Sequence, residues 1–339
     1  MSTGRRQSES VAYGAPTGDQ ERKAKGALVR KILKQYGLLI ALIIVVIFFG
    51  LARPDTFLTM DTARALLSQS SAPAILAIGL TVPLILGDFD LSIGSMLGLG
   101  GATAVAMMSL YGTSWQVAVL VAFLIAILGG SIIGFFTSYL GSSSFVMTLA
   151  MATVLLGVEY LITGMTTLYS GIQPGYVALG QSTSLFGLNN QVWIALGVAA
   201  AAFILLEKTE LGRNMYAVGG NQLAARFAGI NVRRLRLTGF IIVACAAAFT
   251  GILLTAQAAS STPNAGVSYL LPAYAAVFLG SASFRPGQFN VIGTVVAVIF
   301  LGVVQTGLQM MQIQTAWILI LQGVILIVAI QANRIERQG

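Results

Sequence analysis

The 339-residue sequence has no histidine and one cysteine, Cys245. A disulfide within the chain is therefore excluded, and so is a Cys/His metal centre. The sequence has no Gly-x-x-x-x-Gly-Lys phosphate loop, which removes P-loop nucleotide hydrolysis. With no histidine to act as a base either, nothing points to an enzyme. Charge is scarce: Asp, Glu, Lys and Arg make up 9% of residues, and no Lys or Arg falls between Arg64 and Lys208. Apolar residues dominate at 56%, with a mean hydropathy of +0.85. A charge at the centre of a membrane helix costs roughly 2.5 to 3.5 kcal/mol on insertion scales, so charge-free runs of this length mark a multi-spanning membrane protein.

About 20 apolar residues cross a ~30 Å hydrocarbon core. On that basis the spans are read as 36–52, 65–87, 91–110, 115–139, 144–163, 190–206, 237–258, 268–283, 288–311 and 314–332. The fold class is an all-α polytopic membrane protein of about ten helices, with both termini cytoplasmic. Residues 1–35 read as a disordered basic tail, 36–333 as one transmembrane domain and 334–339 as a second tail. The run 36–52 is too long for a signal-peptide core and precedes Arg53 and Pro54 without a cleavage pattern, so it reads as a retained anchor.

This arrangement places every basic residue except Arg53 and Arg64 on the cytoplasmic side, which satisfies the positive-inside rule. The net charge of +8 is explained in the same way, without a nucleic-acid partner. The longest external segment, 164–191, is uncharged but holds Tyr169, Tyr176 and Phe186. It reads as a loop resting on the membrane interface or as a landing surface for an external partner.

Gly94, Gly98, Ala102 and Ala106 recur every fourth residue in the third span and predict close helix packing; Gly130 and Gly134 repeat the device in the fourth. Pro73, Pro83 and Pro272 interrupt the second and eighth spans. Freed backbone groups at membrane depth must face protein or a water-filled cavity, so these two spans are expected to line a pathway. Asp90 is expected to cap the third span while Asp88 reaches cytoplasmic water, with proton or cation handling by the pair as the alternative. Glu159 either snorkels to the interface or contacts a passing solute.

The most informative stretch is TELGRNMYAVGGNQLAARFAGINVRRLRL, residues 209–237, a basic, glycine-punctuated island within the cytoplasmic loop 207–236. Asn221 is placed to cap a two-turn helix over 222–228, which Gly229 ends in a left-handed conformation. Leu223, Phe227 and Ile230 share one face; Ala224, Ala225 and Ala228 form a smooth surface beside Arg226. So short a helix is unstable alone and must pack on something: the same chain or a soluble partner.

Four segments carry a family resemblance: GDFDLSIGSMLGLGGA, SSFVMTLAMATVLLGVEYLITG, GRNMYAVGGNQLAARFAGINV and YLLPAYAAVFLGSASFRPGQFNVIGTVVAV. Through them residues 36–333 resemble the permease subunits of bacterial carbohydrate ABC importers of the ribose, xylose and arabinose group. The resemblance implies a multi-pass subunit of the inner membrane that pairs with a second copy or a related permease. It further implies two cytoplasmic ATP-binding subunits, which would use the ATP and Mg, and an external sugar-binding protein.

Gly219, Gly220, Asn221, Gln222, Ala224, Ala225, Arg226 and Gly229 would then belong to a coupling helix inserted into an ATPase cleft. Gln69, Ser70, Glu159, Thr262 and Asn264 are the candidate polar contacts of the pathway. The chain departs from the family pattern at Asp88, Leu156, Arg285, Pro286 and Gln305. Two other classes remain open from the residues alone: an ion-coupled secondary transporter using Glu159 or the Asp88/Asp90 pair, and a membrane scaffold that recruits a soluble enzyme through the island.

Overall fold

The computed structural model describes the backbone of residues 18–338 and the side chains of residues 35–331. The side chains of the tail residues 334–339 and the backbone of residues 1–17 lie outside it. Among the described residues the chain is almost entirely helical. Eight helices are long and apolar enough to cross a membrane: α1 (Gly18–Ala52, apolar from Gln35), α3 (Met60–Leu86), α4 (Ile93–Tyr111), α5 (Trp115–Ser138), α6 (Ser144–Thr163), α8 (Asn190–Lys208), α11 (Val232–Ala258) and α13 (Val291–Met310). The other two expected spans are shorter apolar stretches, Ala265–Ser281, which contains α12 (Leu270–Ser281), and Thr315–Gln331 within α14 (Thr315–Gln338). All ten expected spans are thus helices. The first is longer than expected: α1 begins at Gly18, within the segment read as a disordered tail.

Among the described residues there are also four short α-helices, α2 (Pro54–Phe57), α7 (Pro174–Gln181), α9 (Glu210–Gly220) and α10 (Gln222–Phe227), and two 3-10 segments, Leu185–Gly187 and Ala265–Tyr269. The segment 164–191 is therefore more than an interfacial loop. Its α7 docks on α11, with Tyr176 fully buried and its hydroxyl donating to the Ile252 carbonyl at 3.0 Å. The same hydroxyl lies 2.6 Å from the Thr255 hydroxyl, so the buried phenol is hydrogen-bonded. Tyr169 and Phe186 stay exposed on the same segment.

Hydrogen bonds fix which helix ends lie together. Phe284 and Ser283 reach the Gln35 carbonyl, Tyr216 reaches the Phe289 carbonyl at 3.0 Å, and Arg285 pairs with Glu207 at 2.6 Å. The Gln35 end of the apolar part of α1 and the turns after α8 and α12 therefore share the end of the bundle that carries the basic island, and the Gln222 amide on the Leu86 carbonyl brings the end of α3 to the same place. Burial pushes the Tyr216 hydroxyl up to about 12, and the nearby Glu207 carboxylate adds to the effect, so it stays a donor. At the far end Leu168 and Ser261 exchange two backbone bonds, and Gly187 packs on Arg64.

At the centre lies α11, packed on α3, α4, α5 and α7. Glycine makes this close approach possible. A Cβ at Gly130 would lie 2.7 Å from the Phe240 carbonyl oxygen, and one at Gly134 would lie 2.9 Å from the Leu237 Cα, so α5 meets α11 backbone to backbone. In α4 the glycines that meet α11 are Gly100 and Gly101. The predicted stripe turns elsewhere: Gly94 meets the 3-10 segment Ala265–Tyr269, Gly98 meets Glu159, and Ala102 and Ala106 are buried.

Candidate functional site

Two cavities open beside the α11–α12 connection. The first, about 390 Å³, is walled by Gln69, Ser70 and Pro73 of α3, Pro272 and Ala276 of α12, Gln305 and Gln309 of α13, and Gln322 of α14. Both proline-interrupted spans thus contribute to it. The second, about 310 Å³, lies between α4 and the 258–269 connection and is lined by Gly98, Thr255, Ser260, Thr262 and Gly266. Gln257 and Tyr269 border both cavities. An amide inside hydrocarbon is costly without a partner. Gln69, Gln305 and Gln309, all exposed on otherwise apolar helices, gather around one hollow.

Of the expected pathway residues, Gln69 and Ser70 line the first cavity and Thr262 lines the second. Glu159 and Asn264 meet each other: the Glu159 Oε1 accepts the Asn264 backbone N–H at 3.0 Å. Glu159 is 1% exposed, so it does not snorkel, and its carboxylate lines neither cavity. Sequence reasoning passed over Gln257, Gln309 and Gln322. Glutamine inside an apolar run was the available signal.

Asp88 does not reach water. It is 3% exposed and accepts two bonds from Arg236 of α11, from Nε at 2.7 Å and Nη2 at 2.6 Å. The polar turn after α3 folds back against α11, and the guanidinium fork replaces the water that a lone carboxylate would need. Asp90 does not cap α4 as expected: it lies three residues before Ile93, the N-cap is Ser92, and the Asp90 carboxylate turns onto Ser92 instead of the first turn of the helix. Its Oδ1 accepts the Ser92 N–H at 2.8 Å and the Ser92 hydroxyl at 2.5 Å. Burial raises its carboxyl from the ordinary 3.8 to about 6, the Ser92 bonds oppose that rise, and the Asp88 charge adds to it. The two carboxylates therefore have separate structural partners.

In the island, Thr209 opens α9, accepting the Gly212 N–H at 3.2 Å, and Asn221 caps α10, accepting the Ala224 N–H at 3.0 Å. Gly229 follows with φ +84°, the left-handed stop that favours glycine. The helix over 222–227 matches the expected element to within a residue; α9 was not foreseen. A Cβ on Gly219 would overlap the Ile85 carbonyl, so only glycine lets α9 lie on the end of α3. Gly220 has open space, and the Gln222 amide donates to the Leu86 carbonyl at 3.5 Å.

The face assignment needs correction. Ala225 is 5% exposed and packs on its own bundle, while Leu223 and Phe227 are 61% and 84% exposed. Ala224, Arg226 and Ala228 are also exposed. The smallest side chain lets the helix sit close, which turns the large apolar residues outward. Leu223 and Phe227 thus form an exposed apolar pair on the outer face of α10.

The residues 62–330 match the family model described as "Branched-chain amino acid transport system / permease component". The chain is 33% identical over 297 residues to the ribose import permease protein RbsC of Haemophilus influenzae, covering 87% of this chain and 91% of that one. It is 32% identical to RbsC of Escherichia coli K12, covering 86% and 91% of the two chains. The D-allose transport system permease protein AlsC of the same strain is 29% identical, covering 89% and 92%. These likenesses favour a transport-system permease over an ion-coupled carrier or a scaffold. With eight membrane-length apolar helices among the described residues, the chain is a multi-pass membrane permease and belongs to the branched-chain amino acid transport system / permease component family.

Proposed function

We propose that this chain is the membrane-spanning subunit of an ABC importer for a monosaccharide or a similar polyhydroxylated solute. The observation that carries the reading is the capped helix α10, which presents Leu223 and Phe227 outward from the basic end of the bundle. By the positive-inside rule that end faces the cytoplasm, where a nucleotide-binding subunit would receive the two side chains. Two such subunits would dock beneath a pair of permease copies and hydrolyse ATP with Mg. An external sugar-binding protein would deliver the solute at the far end.

The sugar class is supported by relatives that match along nearly their whole length and carry ribose, allose or galactose in their names. The family description names branched-chain amino acids, but the cavity chemistry fits a sugar better. The first cavity offers neutral amides and hydroxyls from Gln69, Ser70, Gln257, Gln305, Gln309 and Gln322. Among the described residues it offers no charged side chain, which a zwitterionic amino acid would need. Gln69, Ser70, Thr262 and Gln257 would make passing contacts, while Glu159 and Asn264 hold the wall. The coupling role falls on Asn221, Gln222, Leu223, Arg226 and Phe227, with Gly219, Gly220, Ala224, Ala225 and Gly229 giving the helix its shape and seat.

The test is purification of the tagged chain in mild detergent from its own host, with ATP hydrolysis measured on the purified material and uptake of labelled ribose, allose, galactose and leucine measured after reconstitution into sealed liposomes. A co-purifying ATPase with sugar uptake is expected. Leucine uptake would overturn the solute class, and uptake by the chain alone on a proton gradient would overturn the ABC reading.

A further inference from the structure

The turn Gly87–Ser92 between α3 and α4 is tied to more of the molecule than any connection of six residues needs. Four successive backbone N–H groups find separate acceptors: Phe89 on Ser144 Oγ at 3.3 Å, Asp90 on the Tyr274 hydroxyl at 2.9 Å, Leu91 on Thr148 Oγ1 at 3.1 Å, and Ser92 on Asp90 Oδ1. The Tyr274 hydroxyl donates back to the Asp90 carbonyl at 3.0 Å, and its ring stacks on Phe89. One turn holds the start of α6 and the middle of α12 together. On the island side, α9 rests on the Ile85 carbonyl through Gly219, and Asp88 grips Arg236 at the start of α11. The Arg236 guanidinium also donates to the Thr137 carbonyl at 3.3 Å, at the end of α5.

We infer that the Gly87–Ser92 turn, clamped to α11 by the Asp88–Arg236 pair, carries movement of the island helices into the walls of the two cavities. Asp88 and Arg236 are positioning residues, since neither lines either of the two cavities. The path is physical at each step. Displacing α10 moves α11, into which it runs through Gly229, and a bidentate pair resists both sliding and rotation. The turn follows, and Tyr274 passes the displacement to α12, whose Pro272, Ala273 and Ala276 wall the first cavity. A second branch runs through Ser144 and Thr148 into α6, where Glu159 holds the second cavity's wall at Asn264. A neutral contact at this place would fill space but would not hold an angle.

This inference rests on the proposed function, since it assumes a partner that moves α10. The experiment uses the chain with its co-purified ATPase in lipid nanodiscs, in a Cys245→Ser background with nitroxides at Ser268→Cys and Tyr111→Cys. Both positions are exposed, and Ser268 lies on the wall of the first cavity, whose movement the label is to report. ATP with vanadate is expected to change the label distance in the otherwise unsubstituted chain. Asp88→Asn and Arg236→Gln are expected to abolish that change while ATP hydrolysis persists, and the swapped pair Asp88→Arg with Arg236→Asp to restore part of it. Should either single variant fail to accumulate, Asp88→Glu with Arg236→Lys keeps both charges without the fork geometry and is expected to reduce the change. Full changes in the variants would overturn the relay alone. No ATPase or no change in the unsubstituted complex would overturn the proposed function and the relay with it.

Discussion

Glu159 of α6 holds Asn264 through a single hydrogen bond of 3.0 Å from the backbone N–H to Oε1. Asn264 has φ +65°, a left-handed turn that asparagine tolerates better than most residues, and the 3-10 segment Ala265–Tyr269 begins just after it. The carboxylate thus fixes a turn beside Thr262 and Ala265 of the second cavity. Glu159→Ala should leave that N–H without its acceptor, at a cost of about 1–3 kcal/mol. Glu159→Gln keeps an acceptor and should lose less. Thermal melting of the purified chain in detergent checks the order.

Gly98 bears on the same contact. A Cβ there would lie 2.7 Å from Glu159 Oε2, so Gly98→Ala forces the carboxylate aside and should cost about 1–3 kcal/mol, as overpacking does. In the double variant Gly98→Ala with Glu159→Ala the clash is gone, and the combined loss should be smaller than the sum of the two single losses. Additive losses in the melting cycle would mean that Gly98 serves only general packing.

The two faces of α10 should respond differently. Phe227→Ala removes an exposed apolar anchor and should leave melting of the chain alone unchanged. It should weaken ATPase association by about 2 kcal/mol, roughly thirty-fold in Kd. Ala225→Trp should instead lower the melting temperature of the chain by itself, because Ala225 is buried against the bundle. Titration of detergent-purified chain with ATPase, alongside melting curves, separates the two. Equal binding by the Phe227 variant would move the docking surface elsewhere.

Much of this was legible because it is local. Apolar runs of membrane length mark their own helices, and Asn221 and Gly229 bracket α10 with cap and stop signals only eight positions apart. The rest depends on partners distant in the chain. Asp88 and Arg236 are 148 positions apart, so the carboxylate read as solvated while its guanidinium was counted only as positive charge. The direction of Ala225 was hidden for another reason: the usual expectation buries Leu223 and Phe227, and only the tight seat on the bundle reverses it. Tyr176 read as an interfacial aromatic because its buried acceptor, the Ile252 carbonyl, lies on a helix far along the chain. The glutamines of the first cavity come from α3, α11, α13 and α14, and no sequence window contains them together.

Gln257 borders both cavities and belongs to α11, the central helix. Gln257→Leu replaces an amide that a hydroxylated solute would contact with an apolar group of similar size. Uptake of the sugar identified in the uptake panel should fall, while association with the ATPase and melting temperature stay near those of the unsubstituted chain, since the change lies far from α10. Unchanged uptake at every sugar concentration would place the solute's route away from this wall.

Asp90 supplies a pH dependence whose sign follows from its surroundings. Burial lifts its folded-state carboxyl to about 6 from 3.8, so between those values the folded chain holds a proton that the unfolded chain has released. Stability contributed by this group is therefore greatest in acid, falls as pH rises from about 4 to about 6, and is level above that, a difference of about 3 kcal/mol at most. The chain has no histidine to titrate across the same range. Asp90→Asn cannot release a proton, yet its side-chain oxygen can still accept from Ser92. It should therefore melt higher than the unsubstituted chain at pH 7.5, with the gap closing as the pH is brought to 4.5. Melting curves in detergent across that range decide the matter: a gap that stays constant would show that the Asp90 carboxyl keeps one protonation state throughout.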